Sequence, residues 1–254
     1  MDSPINPPDI DKFRRDQERW KERRERPFAR ELNAIFNKAG REAAAAYDNG
    51  LDPFSGPYLT NGLDAALTET MRRRMTGIAI QWARAVERGA KMFPDFQQKS
   101  FQEDVRRYID QFVATYTARK VVQISDTTRA VIRDSIDAGV QEQLGPAAVA
   151  RLIRERNSQF SRFRAMRIAR TETSMIANAT SEFSADALGL EYKRRWVAAA
   201  DERTRDSHAE ADGQIRGRDE AFDVGDSKLM RPGDPTGPAS EIINCRCSVA
   251  LVRV

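Results

Sequence analysis

The stretch YKRRWVAAADERTRDSHAEADG, residues 192–213, decides how the C-terminal part of this chain is read. Tyr192, Arg194, Trp196 and Ala198 alternate with Lys193, Arg195 and Val197, the period-two pattern of a β-strand. Asp201 then offers an N-cap for a short helix to about Asp212, with Gly213 at its C-terminal stop. Further on, Phe222–Val224 reads as a second strand, and NCRCSVALV, residues 244–252, closes the unit with a small, apolar strand from Cys247. The 22 residues between Gly225 and Arg246 are too long for a tight hairpin and read as an irregular loop. The expectation is a small antiparallel α+β unit.

Upstream the period changes to that of helices. Residues 1–9 read as a flexible extended arm, and Ile10–Arg26 as an exposed helix laced with i,i+4 charge pairs. It should bury almost nothing, because only Ile10, Phe13 and Trp20 are apolar. Pro27 opens a second helix carrying Phe28, Leu32, Ile35 and Phe36, which Asp48-Asn49-Gly50 ends. A long helix from Leu63 is stopped by Pro94, and another stripe runs from Phe101 to Tyr116. Ser125 or Asp126 caps a helix carrying Val131, Ile132, Ile136, Val140 and Leu144, and Gly145-Pro146 separates it from the next. Residues 27–188 thus read as about five helices. On the last of them Glu172 shares a face with Ile168, Met175, Ile176, Ala179 and Phe183. A carboxylate on a buried stripe needs a partner, and Arg203 and Arg205 are the natural candidates. The fold class expected is α+β: a mainly α-helical N-terminal and middle region, then a small C-terminal α+β domain with a short antiparallel sheet. The expected divisions are a charged arm at 1–26, a helical domain at 27–158 and a C-terminal domain at 159–254.

Two blocks carry a resemblance. The first is Arg167-Ile168-Ala169-Arg170-Thr171-Glu172-Thr173; the second runs from Trp196 through Asp201-Glu202-Arg203-Thr204, His208 and Gly213 to Asn244-Cys245-Arg246-Cys247. In order and spacing they resemble the phage head morphogenesis family, minor head proteins similar to the F protein of phage Mu, over roughly residues 160–254. The resemblance implies structural roles for Arg170, Thr171, Glu172, Trp196, Asp201, Arg203, Thr204, His208, Gly213, Asn244, Cys245 and Cys247. It implies a non-enzymatic minor capsid protein that associates with the portal, with scaffold or major capsid protein as further partners. Such a protein acts in procapsid assembly, DNA packaging and ejection, first in the host cytoplasm and then inside the virion head. Some relatives in the family are fused to ADP-ribosyltransferase toxins. This chain has no E-x-E pair, which that chemistry uses, and no segment to spare for such a domain, so the toxin reading is disfavoured.

Composition fits a soluble, polar protein. Of 254 residues 40% are hydrophobic and 31% charged, and 42 basic against 38 acidic side chains leave a net +4. The charge is uneven: residues 151–170 hold seven arginines against Glu155 alone, whereas residues 196–254 hold eight basic and eleven acidic residues. Arg151, Arg154, Arg156, Arg162, Arg164 and Arg167 are the candidates for non-specific contact with double-stranded DNA, guanidiniums being phosphate-seeking without reading bases. A solvated helix face accounts for them as well. Phe160 and Phe163, spaced i,i+3 among them, read as core anchors. No apolar run approaches the roughly 20 residues of a membrane span, and no secretory signal opens the chain.

Both cysteines and the only histidine fall in the C-terminal block. The plainer account of Cys245 and Cys247 is core packing with His208 hydrogen-bonded across from them, so no cofactor is expected. The sharper account is a structural zinc on His208, Cys245 and Cys247 with Asp201 or Asp212 as fourth ligand, although C-x-C is not the usual zinc-knuckle spacing. A metal-dependent nuclease built on His208 and the acidic residues around it is the alternative function; no second histidine, phosphate loop or nucleophile motif supports it.

Overall fold

The computed structural model describes residues 3–93 and 101–254. Helix α1 spans Ile10–Asp48, and a π-helical turn, Tyr58–Gly62, leads into α2, Leu63–Ala90. Helices α3, Phe101–Gln141, and α4, Pro146–Ala187, follow. The remainder is β1 (Tyr192–Val197), α5 (Asp206–Glu210), β2 (Ile215–Arg216), β3 (Phe222–Val224), β4 (Ser227–Leu229), α6 (Ala239–Ile242) and β5 (Ser248–Arg253). Strand β1 pairs antiparallel with β5, Trp196 opposite Val249, and with β2, Arg194 opposite Arg216. Strands β3 and β4 form a separate hairpin. The fold is α+β, mainly helical with a small C-terminal antiparallel sheet. Among the described residues no helix is long and apolar enough to cross a membrane.

The chain divides into two compact units. One comprises Arg26–Arg74 and Val113–Met166. Its core takes Phe28, Leu32, Phe36, Ala39 and Ala43 from α1, which recur at spacings of three and four and so form one buried stripe. Leu63, Leu67 and Met71 of α2, Ile132 of α3 and Ile153 of α4 complete it. Gly40 lets α1 and α4 approach closely: a Cβ there would lie 2.4 Å from Asn157 Nδ2, which donates to the Phe36 carbonyl at 2.8 Å. Arg129 ties α3 to the start of α2, donating to Asp64 at 2.8 Å and to the Leu59 carbonyl.

The other unit comprises Met1–Glu25, Met75–Phe112 and Arg167–Val254. Trp20 of α1 meets Trp82 of α2 edge-on at 4.6 Å, Trp82 donates to Ser181 Oγ on α4, and Tyr108 of α3 stacks on Phe183 at 3.5 Å. Phe13, Val197 and Ala250 pack α1 against the sheet.

Several sequence expectations change here. Residues 10–26 do not lie bare: Phe13, Gln17, Trp20, Lys21 and Glu25 are buried. The covering residues lie in α2 and at the far end of the chain, beyond any local pattern. The segment at 3–9 is no free arm either. Ile5 pairs in parallel with Leu251, Asn6 N–H donates to the Leu251 carbonyl at 2.8 Å, and the edge of β5 is thereby covered. Pro27 lies inside α1 rather than at a start. Ser125 and Asp126 cap nothing, because α3 runs through them; the hydroxyls of Ser125, Thr127 and Thr128 donate back to carbonyls three or four residues earlier. Four long helices therefore stand among the described residues where about five were expected. Val140 and Leu144, expected in a core stripe, are exposed. The expected helix stop at Pro94 lies outside the described residues.

Candidate metal centre and arginine segment

Asp201 opens the site without capping a helix. Its carboxylate accepts the Arg203 N–H at 3.1 Å and the Thr204 hydroxyl at 3.2 Å, while Thr204 Oγ1 accepts the Asp201 N–H. This closed turn lets α5 begin five residues later, at Asp206. Gly213 adopts a φ of +79°, which favours glycine, and its N–H returns to the Trp196 carbonyl at 3.0 Å. Between these two stops α5 directs His208 inward, edge-on to Trp196 at 5.4 Å. The residues that follow are more ordered than the sequence implied. Gly225, at φ +55°, turns β3 into β4, and α6 forms within the stretch read as irregular loop.

Asn244, at φ +62°, redirects the chain from α6 into β5. The alternation that follows puts both sulfurs on the histidine side: Cys247 Sγ lies 3.3 Å and Cys245 Sγ 3.6 Å from His208 Nδ1. All three groups are buried, and their donor atoms lie within 4.8 Å of one another. His208 Nε2 faces Glu241 Oε2 at 3.0 Å, and the Ser207 hydroxyl donates to the same oxygen. Behind the cysteines the buried ammonium of Lys21 donates to the carbonyls of Arg246 and Cys247 and to Ser248 Oγ at 2.8–3.1 Å. A hydrogen bond from Cys247, then the charges of Lys21 and Arg205, hold the Cys245 thiol down to about 7 despite its burial. Cys247, donating to that sulfur in a buried position, is pushed well above the ordinary thiol range.

Neither aspartate expected as a fourth ligand joins this cluster. Asp201 pairs with Arg246 and Arg203, and Asp212 accepts from Arg14 and the Ala198 N–H. Both are consumed by cations or backbone at the rim, Arg246 also reaching Glu18 at 2.9 Å. The other motif residues tie helix α4 to the β5 turn. Arg170 donates to Asn244 Oδ1 at 2.8 Å and Glu25 at 3.3 Å, and Thr171 Oγ1 accepts the Asn244 N–H. Glu172 is buried, but Arg203 is exposed on Asp201 and Arg205 donates to the Ile243 carbonyl. Sequence reasoning missed Lys21, Glu241, Asn178 and Arg194. Asn178 donates to the Pro232 and Cys247 carbonyls and accepts the Val249 N–H, and buried Arg194 donates to the Gly217 and Glu220 carbonyls. An asparagine and an arginine at apolar-periodic positions were the available signals.

In the arginine segment, Arg151, Arg154, Arg156, Arg162 and Arg167 are exposed. Arg164 is not available to DNA: it is buried, donates to Thr128 Oγ1 and the Ile124 carbonyl, and lies over Phe36. Phe163, expected as a core anchor, is 80% exposed. Phe160 instead packs against the Arg164 guanidinium, which lies 5.4 Å from its ring centre. Two further arginines, Arg26 and Arg30 of α1, line an open groove with Arg162 and Met166.

The family described as Phage Mu protein F like protein matches residues 130–250. Residues 130–250, just under half of the chain, are similar to this family. The match begins some thirty residues before the resemblance seen in the motifs, and so includes the arginine segment. An NAD(+)--arginine ADP-ribosyltransferase EFV of Enterococcus faecalis (strain ATCC 700802 / V583) is 32% identical over 138 residues, 53% of this chain and 28% of that protein. An uncharacterized protein of Haemophilus influenzae (strain ATCC 51907 / DSM 11121 / KW20 / Rd) is 38% identical over 84 residues, 33% of this chain and 16% of that protein. The chain thus spans less than a third of either relative. No solved structure matches the chain. Within the matched region Arg170 and Thr171 bind Asn244, and His208 faces Cys245 and Cys247, so these motif residues hold α4, α5 and the start of β5 in place.

Proposed function

We propose that this protein is a non-enzymatic minor head protein of a tailed phage or prophage. It associates with the portal during procapsid assembly, meets scaffold or major capsid protein there, and is carried inside the head with the DNA. The observation that carries this is the family match over residues 130–250. The inward-facing motif supports it, because side chains spent on holding α4, α5 and β5 together are not displayed to a substrate. His208 is 2% exposed and engaged on both ring nitrogens, which weighs against a nuclease built on it. The transferase named in the Enterococcus faecalis protein is matched over 28% of its length, and the E-x-E pair is absent from this chain.

Arg151, Arg154, Arg156 and Arg162, with Arg26 and Arg30 beside the last, provide the DNA contact in this reading. They address phosphate, not base sequence. The test is a deletion in the phage genome combined with mass spectrometry of purified heads. The expected result is a few copies per head, copurification with the portal, and defective heads on deletion. Normal infectious heads without the protein would overturn the proposal. So would nicking of supercoiled DNA with Mg²⁺ or Zn²⁺, or transfer of ADP-ribose from NAD⁺, by the pure protein.

A further inference from the structure

We infer that His208, Cys245 and Cys247 bind one zinc ion, and that this ion staples α5 to the start of β5. Two thiolates and an imidazole are the donor set that selects Zn²⁺ among the common divalent ions. The spacing fits it. Sulfur and nitrogen bound to a tetrahedral zinc at about 2.3 Å and 2.0–2.1 Å lie about 3.6 Å apart; here the two distances from Nδ1 are 3.3 and 3.6 Å. Simple hydrogen bonding requires only one sulfur near that nitrogen, whereas a metal requires both.

The histidine is also oriented as a ligand. With the ion bound, Glu241 Oε2, 3.0 Å from Nε2, accepts the Nε2–H and leaves the Nδ1 lone pair facing the sulfurs. A carboxylate behind a histidine is the arrangement that fixes ring orientation and tautomer at zinc sites. Two thiolates and a neutral imidazole cancel the charge of the ion, so the buried site carries no net charge of its own. Lys21 is no competitor for the ion, since its ammonium donates to three oxygens. Among the described residues no further carboxylate, cysteine or histidine joins the three donors. These side chains supply three of the four corners of the tetrahedron, and all three are buried, so the ion would tie α5 to the start of β5.

The test uses the full chain, expressed without metal supplementation and purified under reducing conditions. Elemental analysis should give about one zinc per chain. Exchange for Co²⁺ should give the thiolate-to-cobalt charge-transfer band and the visible spectrum of tetrahedral cobalt, and chelation should lower the melting temperature. Cys245→Ser and Cys247→Ser should each abolish the cobalt spectrum. If they do not fold, Glu241→Gln decides: it keeps all three ligands, and metal affinity should fall roughly 10–100-fold with the fold intact. Wild-type protein that contains no metal, gives no cobalt spectrum and melts identically with Zn²⁺ or chelator overturns the inference. Unchanged zinc affinity in Glu241→Gln removes the role of that carboxylate.

Discussion

The Lys21 ammonium is enclosed by oxygens of Arg246, Cys247 and Ser248, all on the strand that closes the chain. Replacing it by methionine keeps the volume and leaves those acceptors without a donor. An orphaned buried acceptor costs about 1–3 kcal/mol, and the loss of a desolvated charge offsets part of it, so Lys21→Met should destabilise by about 2–4 kcal/mol. Urea unfolding measures this, and an unchanged midpoint would show that the three bonds contribute nothing. Asp201 makes a prediction in pH. The Arg246 guanidinium holds its carboxyl well below the ordinary value of 3.8. A folded-state value below the unfolded one means that the stabilisation is complete above about pH 3.8 and is lost as pH falls through the folded value. Asp201→Asn should therefore be less stable than wild type near neutrality, with the difference shrinking below pH 4. Parallel curves down to pH 2 would contradict this. His208, Cys245 and Cys247 were legible in the sequence because each is rare and they cluster. Lys21 was not, being one cation in a run of cations whose neighbours lie more than two hundred residues away.

Helices carried the same asymmetry between pattern and continuity. The stripes Phe28–Leu32–Phe36 and Leu63–Leu67–Met71 are buried as their spacing requires. The periodicity nevertheless placed breaks at Pro27 and Ser125 that the chain does not make. Pro27 has no N–H for the Arg23 carbonyl, which costs about 3 kcal/mol in a helix interior. The packing of Phe13 and Trp20 before it and Phe28 after it offsets that cost. Strand β3 was legible although only three residues long, because Phe222 and Val224 flank a polar residue, whereas β2 and β4 each carry a single apolar side chain and show no alternation. A prediction at this scale concerns the contact of α1 with α4. An alanine at Gly40 would place its Cβ 2.4 Å from Asn157 Nδ2 and 2.8 Å from its Cγ. Asn157 must then leave the Phe36 carbonyl. Helix propensity favours alanine by about 1 kcal/mol, but overpacking and the lost hydrogen bond cost about 2–4 kcal/mol together. Gly40→Ala should lower the melting temperature, and Asn157→Ala in the same chain should recover part of the loss. A more stable Gly40→Ala would mean that the helices separate freely.

Over the whole molecule, the C-terminal motif was legible because its residues are chemically distinctive. The grouping of Met1–Glu25 with Arg167–Val254 in one compact unit was not. Contacts between chain ends leave no local period. Charge distribution, by contrast, is additive and can be read directly. Of the seven arginines at 151–170, Arg164 is consumed internally and Arg170 is engaged by Glu25 and Asn244. Of the other five, Arg167 is exposed on one unit and Arg151, Arg154, Arg156 and Arg162 are displayed on the other. If they meet DNA, binding is independent of sequence and weakens steeply with salt, because each neutralised phosphate releases condensed counterion. With three or four engaged, log K should fall against log salt with a slope of about −3 to −4. Replacing Arg151, Arg154 and Arg156 together by glutamine should remove most of that slope. The fold should stay intact, since exposed charges contribute little stability. Arg164→Gln should do the reverse, lowering stability while leaving the slope nearly unchanged, because that guanidinium holds Thr128 and the Ile124 carbonyl. Absence of binding even at low salt would make the segment a solvated face. A triple variant that binds DNA normally but no longer enters heads would assign the charge to recognition of an acidic protein surface, with the exposed Phe163 beside it as the apolar anchor.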